Sequence, residues 1–263
     1  MRFVAVKSLI AGLSKIIPAV FGLLALAACS GESGEKTPSA PRDTAASTAN
    51  TPIAGTQNTK PAGTSQKTLS VPLGSGFDFY VLSLSWSPSW CLDNDPSGRS
   101  MQCDPGNNHG FIVHGLWPQN DKGYPEFCRT RESDRVPDTL GRTLFDIMPS
   151  MGLIGHEWRK HGSCSGLSQK DYFTVLRAAR EKLVIPPALQ SVASDQRTNP
   201  ARIETALISA NPGLRPDALA VTCASGRVDE VRVCFNKDLS FRACGEIDRA
   251  GCKVKSLSLP ATP

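Results

Sequence analysis

The sequence predicts a disulfide-bonded α+β domain, and three observations support this class. β-forming segments lie near both ends of residues 71–263, helical periodicities lie between them, and eight of the nine cysteines fall in this part of the chain. Strands at both ends with helices between them are typical of α+β proteins. At 263 residues the chain can hold one domain of ordinary size or two small ones.

Composition and charge exclude several other classes. With 40% hydrophobic and 20% charged residues, the chain is too apolar to be wholly disordered. It has no Gly-X-Y period and no long heptad run, which excludes collagen and coiled coils. Residues 71–263 carry 22 Lys and Arg against 21 Asp and Glu, so an anionic ligand must be bound by a local site.

Residues 1–28 predict the signal peptide of a lipoprotein. Basic residues precede an apolar run, Ile16 to Ala27, which is shorter than the ~20 residues that span a bilayer. The run ends in Leu26-Ala27-Ala28-Cys29, which resembles the lipobox of bacterial lipoproteins and implies cleavage before Cys29 and acylation of its thiol. We therefore expect a membrane anchor through Cys29 on the periplasmic side of a bacterial envelope, with Ser30 favouring the outer membrane. An ordinary signal peptide that contains a cysteine is the alternative.

Residues 29–70 predict a disordered linker behind the acylated cysteine. Ser, Thr, Pro and Ala dominate this stretch, and no aromatic residue occurs between Gly31 and Ser70. Such a segment cannot bury enough apolar surface to offset its ordering entropy. We expect residues 71–263 to form the folded domain.

The first part of the domain predicts two strands and a helix. Phe77 to Trp86 is rich in β-formers and predicts a strand that Ser87-Pro88 stops. Gly110 to His114 predicts a short strand that ends at Gly115 and Pro118. Thr139 to Met148 has apolar residues at helical spacing.

The second part predicts two helices followed by strands. Ser168 and Asp171 resemble a capping box that opens a helix running to Pro186-Pro187. Asn199-Pro200 opens another helix, which Pro212-Gly213 ends. Three strands are then predicted, at Leu219 to Cys223, Val228 to Phe235 and Phe241 to Cys244.

Eight cysteines, with Cys29 set aside, predict structural disulfides. An even number in an exported chain favours this interpretation, although eight cysteines allow 105 pairings. A zinc site is disfavoured because no two of them are spaced Cys-x-x-Cys. The eight are Cys91, Cys103, Cys128, Cys164, Cys223, Cys234, Cys244 and Cys252.

The segment 155–162 concentrates ionisable side chains. On a helix, His156, Glu157, Lys160 and His161 share one face, while Trp158 points elsewhere and packs. Gly162 is expected to end the helix in a left-handed conformation. The C-terminus of the helix would then favour the protonated form of His161.

Such a cluster suits acid–base chemistry on a phosphate. Cationic groups can hold the phosphate while one imidazole removes a proton and another donates one. The two histidines are five residues apart, whereas the zinc-protease motif needs four, and Lys160 would repel a divalent cation. We therefore expect no metal and no other cofactor. A solvated, charged helix end is the alternative.

A second segment, Ile112 to Gln119, adds another histidine. His114 lies at the predicted end of a strand, before Gly115, and can project into a cleft. Trp117 can stack on a flat ligand such as a base. Taken alone, His114 is better explained as a structural histidine and Trp117 as a core residue.

Together the two segments resemble the two signature blocks of the ribonuclease T2 family. These are Ile112-Val113-His114-Gly115-Leu116-Trp117-Pro118 and His156-Glu157-Trp158-Arg159-Lys160-His161-Gly162-Ser163-Cys164. Tyr80 to Cys91 is similar to the family's first strand, and the likeness extends over about residues 76–252. The resemblance implies an α+β fold with a central antiparallel sheet on which helices pack. It also implies the disulfides Cys91–Cys103, Cys128–Cys164, Cys223–Cys252 and Cys234–Cys244.

The resemblance implies roles for the ionisable residues. His161 is the general base for the ribose 2′-hydroxyl, and His114 is the general acid for the departing 5′-oxygen. His156 binds the phosphate, and Glu157 and Lys160 stabilise the transition state. The reaction implied is metal-independent endonucleolytic cleavage of single-stranded RNA through a 2′,3′-cyclic phosphate to a 3′-phosphate. DNA, which lacks the 2′-hydroxyl, is not cut.

Base recognition is less strongly indicated. Trp117, Tyr124 and Gln119 are the candidates that contact a base. Some members of the family carry Asp where this chain has Gln119, so the preferred base stays open. The function that the resemblance implies is cleavage with low base specificity. Many members carry Gln where this chain has Ser85.

We therefore expect a monomeric, membrane-tethered endoribonuclease. Two alternatives stay open: an RNA- or anion-binding lipoprotein without catalytic activity, and a metal-dependent hydrolase. Cleavage assays in the presence of a chelator separate the three.

Overall fold

The computed structural model describes residues 70–263. The predicted signal peptide, Cys29 and all but the last residue of the predicted linker lie outside this range. Within it, no helix is long and apolar enough to cross a membrane.

The described residues form six strands and six helices. The strands are β1 (Phe79–Trp86), β2 (Phe111–Gln119), β3 (Gln196–Thr198), β4 (Leu219–Ala224), β5 (Arg227–Phe235) and β6 (Leu257–Leu259). The helices are α1 (Ser87–Asn94), α2 (Asp138–Gly141), α3 (Met151–Lys160), α4 (Gln169–Lys182), α5 (Pro200–Ala210) and α6 (Gly245–Arg249).

All six strands belong to one sheet. β1 lies between β2 and β5 and is antiparallel to both, and β4 pairs antiparallel with β5. β6 joins β5 in a single parallel pairing and is antiparallel to β3. The central strands β2, β1, β5 and β4 are antiparallel as expected, and the single parallel pairing of β6 makes the whole sheet mixed.

The two faces of the sheet differ because alternate residues of a strand point to opposite sides. On one face, Tyr80, Leu82 and Leu84 are fully buried in the main hydrophobic core, which also contains the apolar side of α4. On the other face, β1 places Ser83 and Ser85 beside the residues of β2 and β5 that line the cleft described below. We call this second side the cleft face.

The second strand is longer than expected. β2 continues through Gly115 and Pro118 to Gln119. Proline has no N–H to donate, but β2 is an edge strand that pairs only with β1, and edge strands tolerate proline.

Two further predictions need correction. Ser87-Pro88 ends β1 as expected, but the same residues begin α1, with proline in the first turn where its missing N–H is harmless. Phe241 makes only an isolated bridge to Phe235, so Phe241 to Cys244 is not a strand.

The helix predictions succeed where a cap is present. Ser168 accepts a hydrogen bond from the Asp171 N–H at the start of α4, and Asn199 caps α5 in the same way. Thr139 to Met148 has no such cap and forms only α2 and a short 3-10 turn.

Four disulfides hold the described residues together. They join Cys91–Cys103, Cys128–Cys164, Cys223–Cys252 and Cys234–Cys244. These are the pairs that the resemblance implies. The Cys128–Cys164 bond ties a loop to the segment just after α3, and α3 carries most of the ionisable cluster.

Candidate active site

A β-bulge in β2 sets the direction of His114. Val113 lies opposite Leu84 and Gly115 lies opposite Ser83, so His114 is an extra residue without a partner on β1. Bulges of this kind redirect side chains next to active sites. His114 was expected at the end of a strand, but it lies within β2, and the bulge rather than a turn brings it to the cleft.

Two carboxyl groups flank the His114 imidazole. Its Nδ1 is hydrogen-bonded to Glu230, and its Nε2 lies 3.6 Å from Glu157 Oε1. Burial lowers the pKa of His114, but the hydrogen bond and charge of Glu230 and the charge of Glu157 outweigh it, so the pKa is raised. His114 therefore favours the protonated form.

Helix α3 is held in place by the buried Trp158. This side chain has no exposed surface, packs against Tyr172 and Phe173, and donates its Nε1–H to the Ser133 carbonyl at 2.8 Å. Ser150 caps the helix by accepting from the Leu153 N–H. As the helical spacing predicts, Trp158 packs inward, and the ionisable residues line the cleft.

The end of α3 differs from the prediction. Gly162 is not left-handed; the chain continues into a 3-10 turn, Gly162–Cys164. Glycine is needed there for space, because a Cβ would lie 2.5 Å from the Trp158 ring and 2.8 Å from the Tyr172 ring. The preceding residue, His161, is buried, and its N–H donates to the Glu157 carbonyl at 2.9 Å.

His161 is neutral rather than protonated, contrary to the sequence expectation. Burial, followed by the charges of Lys160, His114 and His156, lowers its pKa to about 3. These effects outweigh the C-terminus of the helix. Among the described residues, no group is hydrogen-bonded to the buried Nδ1 of His161.

Glu157 occupies a buried position under the cleft. Its Oε2 accepts a hydrogen bond from Trp117 Nε1 at 2.8 Å. Burial raises its pKa to about 7, although His114, Trp117 and Lys160 act in the opposite direction. Gly115 makes this approach possible, because a Cβ at that position would overlap the Glu157 carboxyl group.

All eight residues predicted to be catalytic or to contact a base line one cleft of about 410 Å³. The α3 side contributes His156, Glu157, Lys160 and His161, and β2 with its following loop contributes His114, Trp117, Gln119 and Tyr124. Glu246 and Ile247 of α6 also line the cleft. The structure therefore brings together segments that are about 40 residues apart in the chain.

The candidate base-contacting residues differ in their exposure. The Trp117 ring lies between the two imidazoles, with centroids 5.4 Å from His114 and 5.3 Å from His161. Tyr124 is 55% exposed at the rim. Gln119 is buried, and its amide donates to the Pro118 carbonyl, so only part of its hydrogen-bonding capacity is free.

Two residues near His114 were missed by the sequence analysis. Glu230 and Arg232 lie two positions apart on β5, opposite Ser85 and Ser83 on the cleft face. A signal was present, because Glu230 and Arg232 recur with a period of two in the half of β5 that otherwise contains Val231, Val233, Cys234 and Phe235. Nothing local indicated that His114, 116 residues earlier in the chain, would meet this strand.

Comparison with solved structures shows which known proteins share this fold. The RNase-related protein from Calystegia sepium matches 72% of this chain and all of its own, with 25% identity and a TM-score of 0.57. Trichomaglin, described as a novel S-like ribonuclease, matches 71% of this chain and 99% of its own, with 22% identity and the same TM-score. The chain therefore has the fold of ribonuclease-type proteins.

Sequence comparison defines the family. The model of the Ribonuclease T2 family matches residues 77–244. A ribonuclease of Aeromonas hydrophila is 36% identical over 170 residues, which are 62% of this chain and 73% of the relative. Ribonuclease DdI of Dictyostelium discoideum is 30% identical over 219 residues, which are 76% of this chain and 94% of the relative. The chain belongs to the ribonuclease T2 family and is an endoribonuclease.

Proposed function

We propose that this enzyme cleaves single-stranded RNA by attack of the ribose 2′-hydroxyl, with His161 and His114 as the acid–base pair. The observation that carries the proposal is their opposite proton affinity within one cleft. His161 is buried beside cations and stays neutral, and His114 lies between two carboxyl groups and favours its proton. A general base and a general acid must start in these two states.

The first step breaks one P–O bond and forms another. Nε2 of His161 takes the proton of the 2′-hydroxyl, whose oxygen attacks the phosphorus. Nε2 of His114 gives its proton to the departing 5′-oxygen, and a 2′,3′-cyclic phosphate remains. In the second step the roles reverse: His114 takes a proton from water, and His161 returns one to the 2′-oxygen, leaving a 3′-phosphate.

Three further residues are proposed to stabilise the pentacoordinate transition state. His156, which is exposed on α3, binds the phosphate. Lys160 supplies positive charge from the same face of the helix. Glu157 has a pKa of about 7, so below that pH it carries a proton and can donate a hydrogen bond to a phosphoryl oxygen instead of repelling it. When Glu157 is protonated, Glu230 keeps the proton on His114, because its hydrogen bond and its charge are the larger contributions that raise the pKa of His114.

We propose that no metal ion takes part in the reaction. Lys160 and the protonated imidazoles can balance the developing negative charge, which is the task a metal ion would otherwise perform. Among the described residues, no group of three or more His, Cys, Asp or Glu side chains could hold a metal ion. Full activity in excess chelator is the expected result, and its loss would contradict this proposal.

Low base specificity is proposed from the character of the base-contacting residues. Trp117 and Tyr124 offer ring faces, on which any base can stack. Gln119 has one amide group that is partly engaged with its own backbone, so it offers little discrimination. Relative rates on the four homopolymers test this, and a preference above about 100-fold for one base would contradict it.

The enzyme is further proposed to act as a monomer anchored to the membrane through acylated Cys29. The support is the lipobox-like end of the apolar run and the Ser- and Thr-rich stretch behind it. This location gives the catalytic domain access to RNA on the periplasmic side of the envelope.

The central test compares two variants on two substrates in chelator. One substrate is a dinucleoside monophosphate; the other is a nucleoside 3′-(4-nitrophenyl phosphate), whose leaving group needs no proton. We expect His161→Ala to lose activity on the order of 10²–10⁴-fold on both. His114→Ala should lose a similar factor on the first substrate and far less on the second.

The 2′-deoxy dinucleotide serves as the substrate control. It should not be cleaved, and mass analysis of the RNA products should show the cyclic phosphate before the 3′-phosphate. Unchanged turnover in both variants would refute the assigned roles. RNA binding without cleavage by the unaltered protein would identify a binding protein instead.

A further inference from the structure

The carboxyl group of Glu230 is held from several directions beneath His114. Its Oε1 is hydrogen-bonded to His114 Nδ1 and accepts from the Ser85 hydroxyl at 3.4 Å. Its Oε2 accepts two hydrogen bonds from Arg232, at 2.9 Å from Nε and 2.7 Å from Nη2. The side chain is only 6% exposed, so it has little freedom to turn away.

We propose that Glu230 is a positioning residue for the general acid, an inference that rests on the acid role of His114 given above. Glu230 accepts the Nδ1–H of His114, directs the opposite nitrogen, Nε2, into the cleft, and stabilises the imidazolium.

The choice of nitrogen follows from what a carboxylate can accept. An ionised carboxylate has no proton to donate, so it fixes the hydrogen of His114 on Nδ1 in both the charged and the neutral ring. Every proton gained or lost by His114 then passes through Nε2. Both steps of the reaction need this, because the proton given to the 5′-oxygen and the proton later taken from water use the same nitrogen.

Arg232 helps to keep Glu230 ionised. Burial raises the pKa of Glu230, but the contacts with His114 and Arg232 outweigh it and lower the pKa to about 2. The proton therefore stays on His114 rather than moving to Glu230. Arg232 also lies over the Trp117 ring, with Cζ 5.2 Å from the centroid, which links this support to the floor of the cleft.

Other charged groups also act on His114. Those of β5 are Asp229, Glu230 and Arg232, and those of α3 and its end are His156, Glu157 and His161. Glu230 alone is hydrogen-bonded to Nδ1 among the described residues. Removing its charge should therefore change His114 more than removing any single neighbour on β5.

The test is Glu230→Gln, which keeps the shape of the side chain and removes the charge. On the dinucleoside substrate we expect kcat to fall by on the order of 10–100-fold with little change in KM. The basic limb of the pH profile should move about one unit lower, because His114 loses a stabilising charge, while the acidic limb stays in place. On the nitrophenyl substrate, activity should be close to that of the unaltered enzyme.

Asp229→Asn is the matched control. It removes one carboxylate from the next position of β5, where Asp229 accepts from the Thr222 hydroxyl at 3.2 Å and does not contact the His114 ring. We expect the ratio of rates on the two substrates to stay unchanged and the basic limb to move much less than in Glu230→Gln.

The outcomes separate this inference from the function on which it rests. Equal losses of Glu230→Gln on both substrates with an unmoved basic limb indicate a merely structural role and overturn the inference. Unaltered kinetics of Glu230→Gln, with His114→Ala impaired on the dinucleoside, overturn the inference and leave the proposed mechanism standing. Full dinucleoside activity of His114→Ala overturns the mechanism itself.

Discussion

The two imidazoles of the cleft differ because their surroundings differ. His161 is buried near the positive charges of Lys160, His114 and His156, so its charged form is disfavoured. His114 is partly exposed and contacts Glu230 and Glu157, so its charged form is favoured. The same side chain can therefore serve as base at one position and as acid at the other.

This difference predicts the pH dependence of kcat/KM. His161 must be unprotonated, so activity should rise as the pH climbs through about 3. His114 must be protonated, and its pKa is raised above 6.5, so activity should fall only above that pH, giving a broad bell-shaped profile. Rates from pH 3 to 9 measure both limbs, and an acidic limb near 6.5 would contradict a buried, neutral base. His109→Ala, which changes the histidine outside the cleft, should leave both limbs in place.

At the level of elements, the site depends on how closely β2 approaches α3. The bulge at His114 and the missing side chain of Gly115 let the Glu157 carboxyl group lie against β2. Trp117, two residues further along the same face, then donates its indole N–H to Glu157. A strand without these two features would keep α3 at a distance, and the two histidine segments would not share a cleft.

Gly115→Ala should therefore damage catalysis more than folding. The added Cβ would overlap the Glu157 carboxyl group and lie 2.5 Å from Trp117 Nε1, so one of the two must move. We expect kcat to fall by at least about tenfold, since small misplacements in a site are costly, with a loss of about 1–3 kcal/mol in the free energy of unfolding. Steady-state kinetics and urea unfolding measure the two effects.

Gly152→Ala is the control at the start of the same helix. A Cβ there meets only Ser150 Oγ at 3.6 Å, so activity should be retained. Equal kinetics of the two variants would show that the approach of β2 to α3 does not matter for catalysis.

At the level of the whole molecule, catalysis and the proposed membrane anchoring belong to different segments of one chain. Residues 77–244 match the family, while the predicted signal and linker precede them. A disordered stretch of about 40 residues has a root-mean-square span of roughly 35 Å. Such a tether would hold the enzyme near the membrane and leave its cleft accessible to RNA.

Replacing Cys29 with Ser tests the anchor. If Cys29 is acylated, Cys29→Ser should move the protein from the membrane fraction to the soluble fraction, because the lipid supplies the membrane affinity. Ser30→Ala should stay in the membrane fraction, and ribonuclease activity per molecule should be the same in both. A soluble distribution of the unaltered protein would favour the ordinary signal peptide.

Some features followed from the sequence because their determinants are local. The capping residues Ser168 and Asn199 predicted the starts of α4 and α5, and the inward packing of Trp158 followed from helical spacing. The α+β class followed from the order of segments. Six of the eight site residues named from the sequence, all but Gln119 and Tyr124, lie in the two signature blocks, and each block is continuous in the chain.

Other features were decided only by the tertiary structure. Glu230 and Arg232 could not be assigned to the site, because their role depends on contact with His114, which comes from a different strand. The sequence predicted a protonated His161, whereas in the structure its pKa is lowered and it is neutral. The end of the helix could be recognised in the sequence, but the burial of His161 could not. The residues of a motif are neighbours in the chain and can be recognised from the sequence. Their proton affinities depend on desolvation and on charges that only folding brings close together.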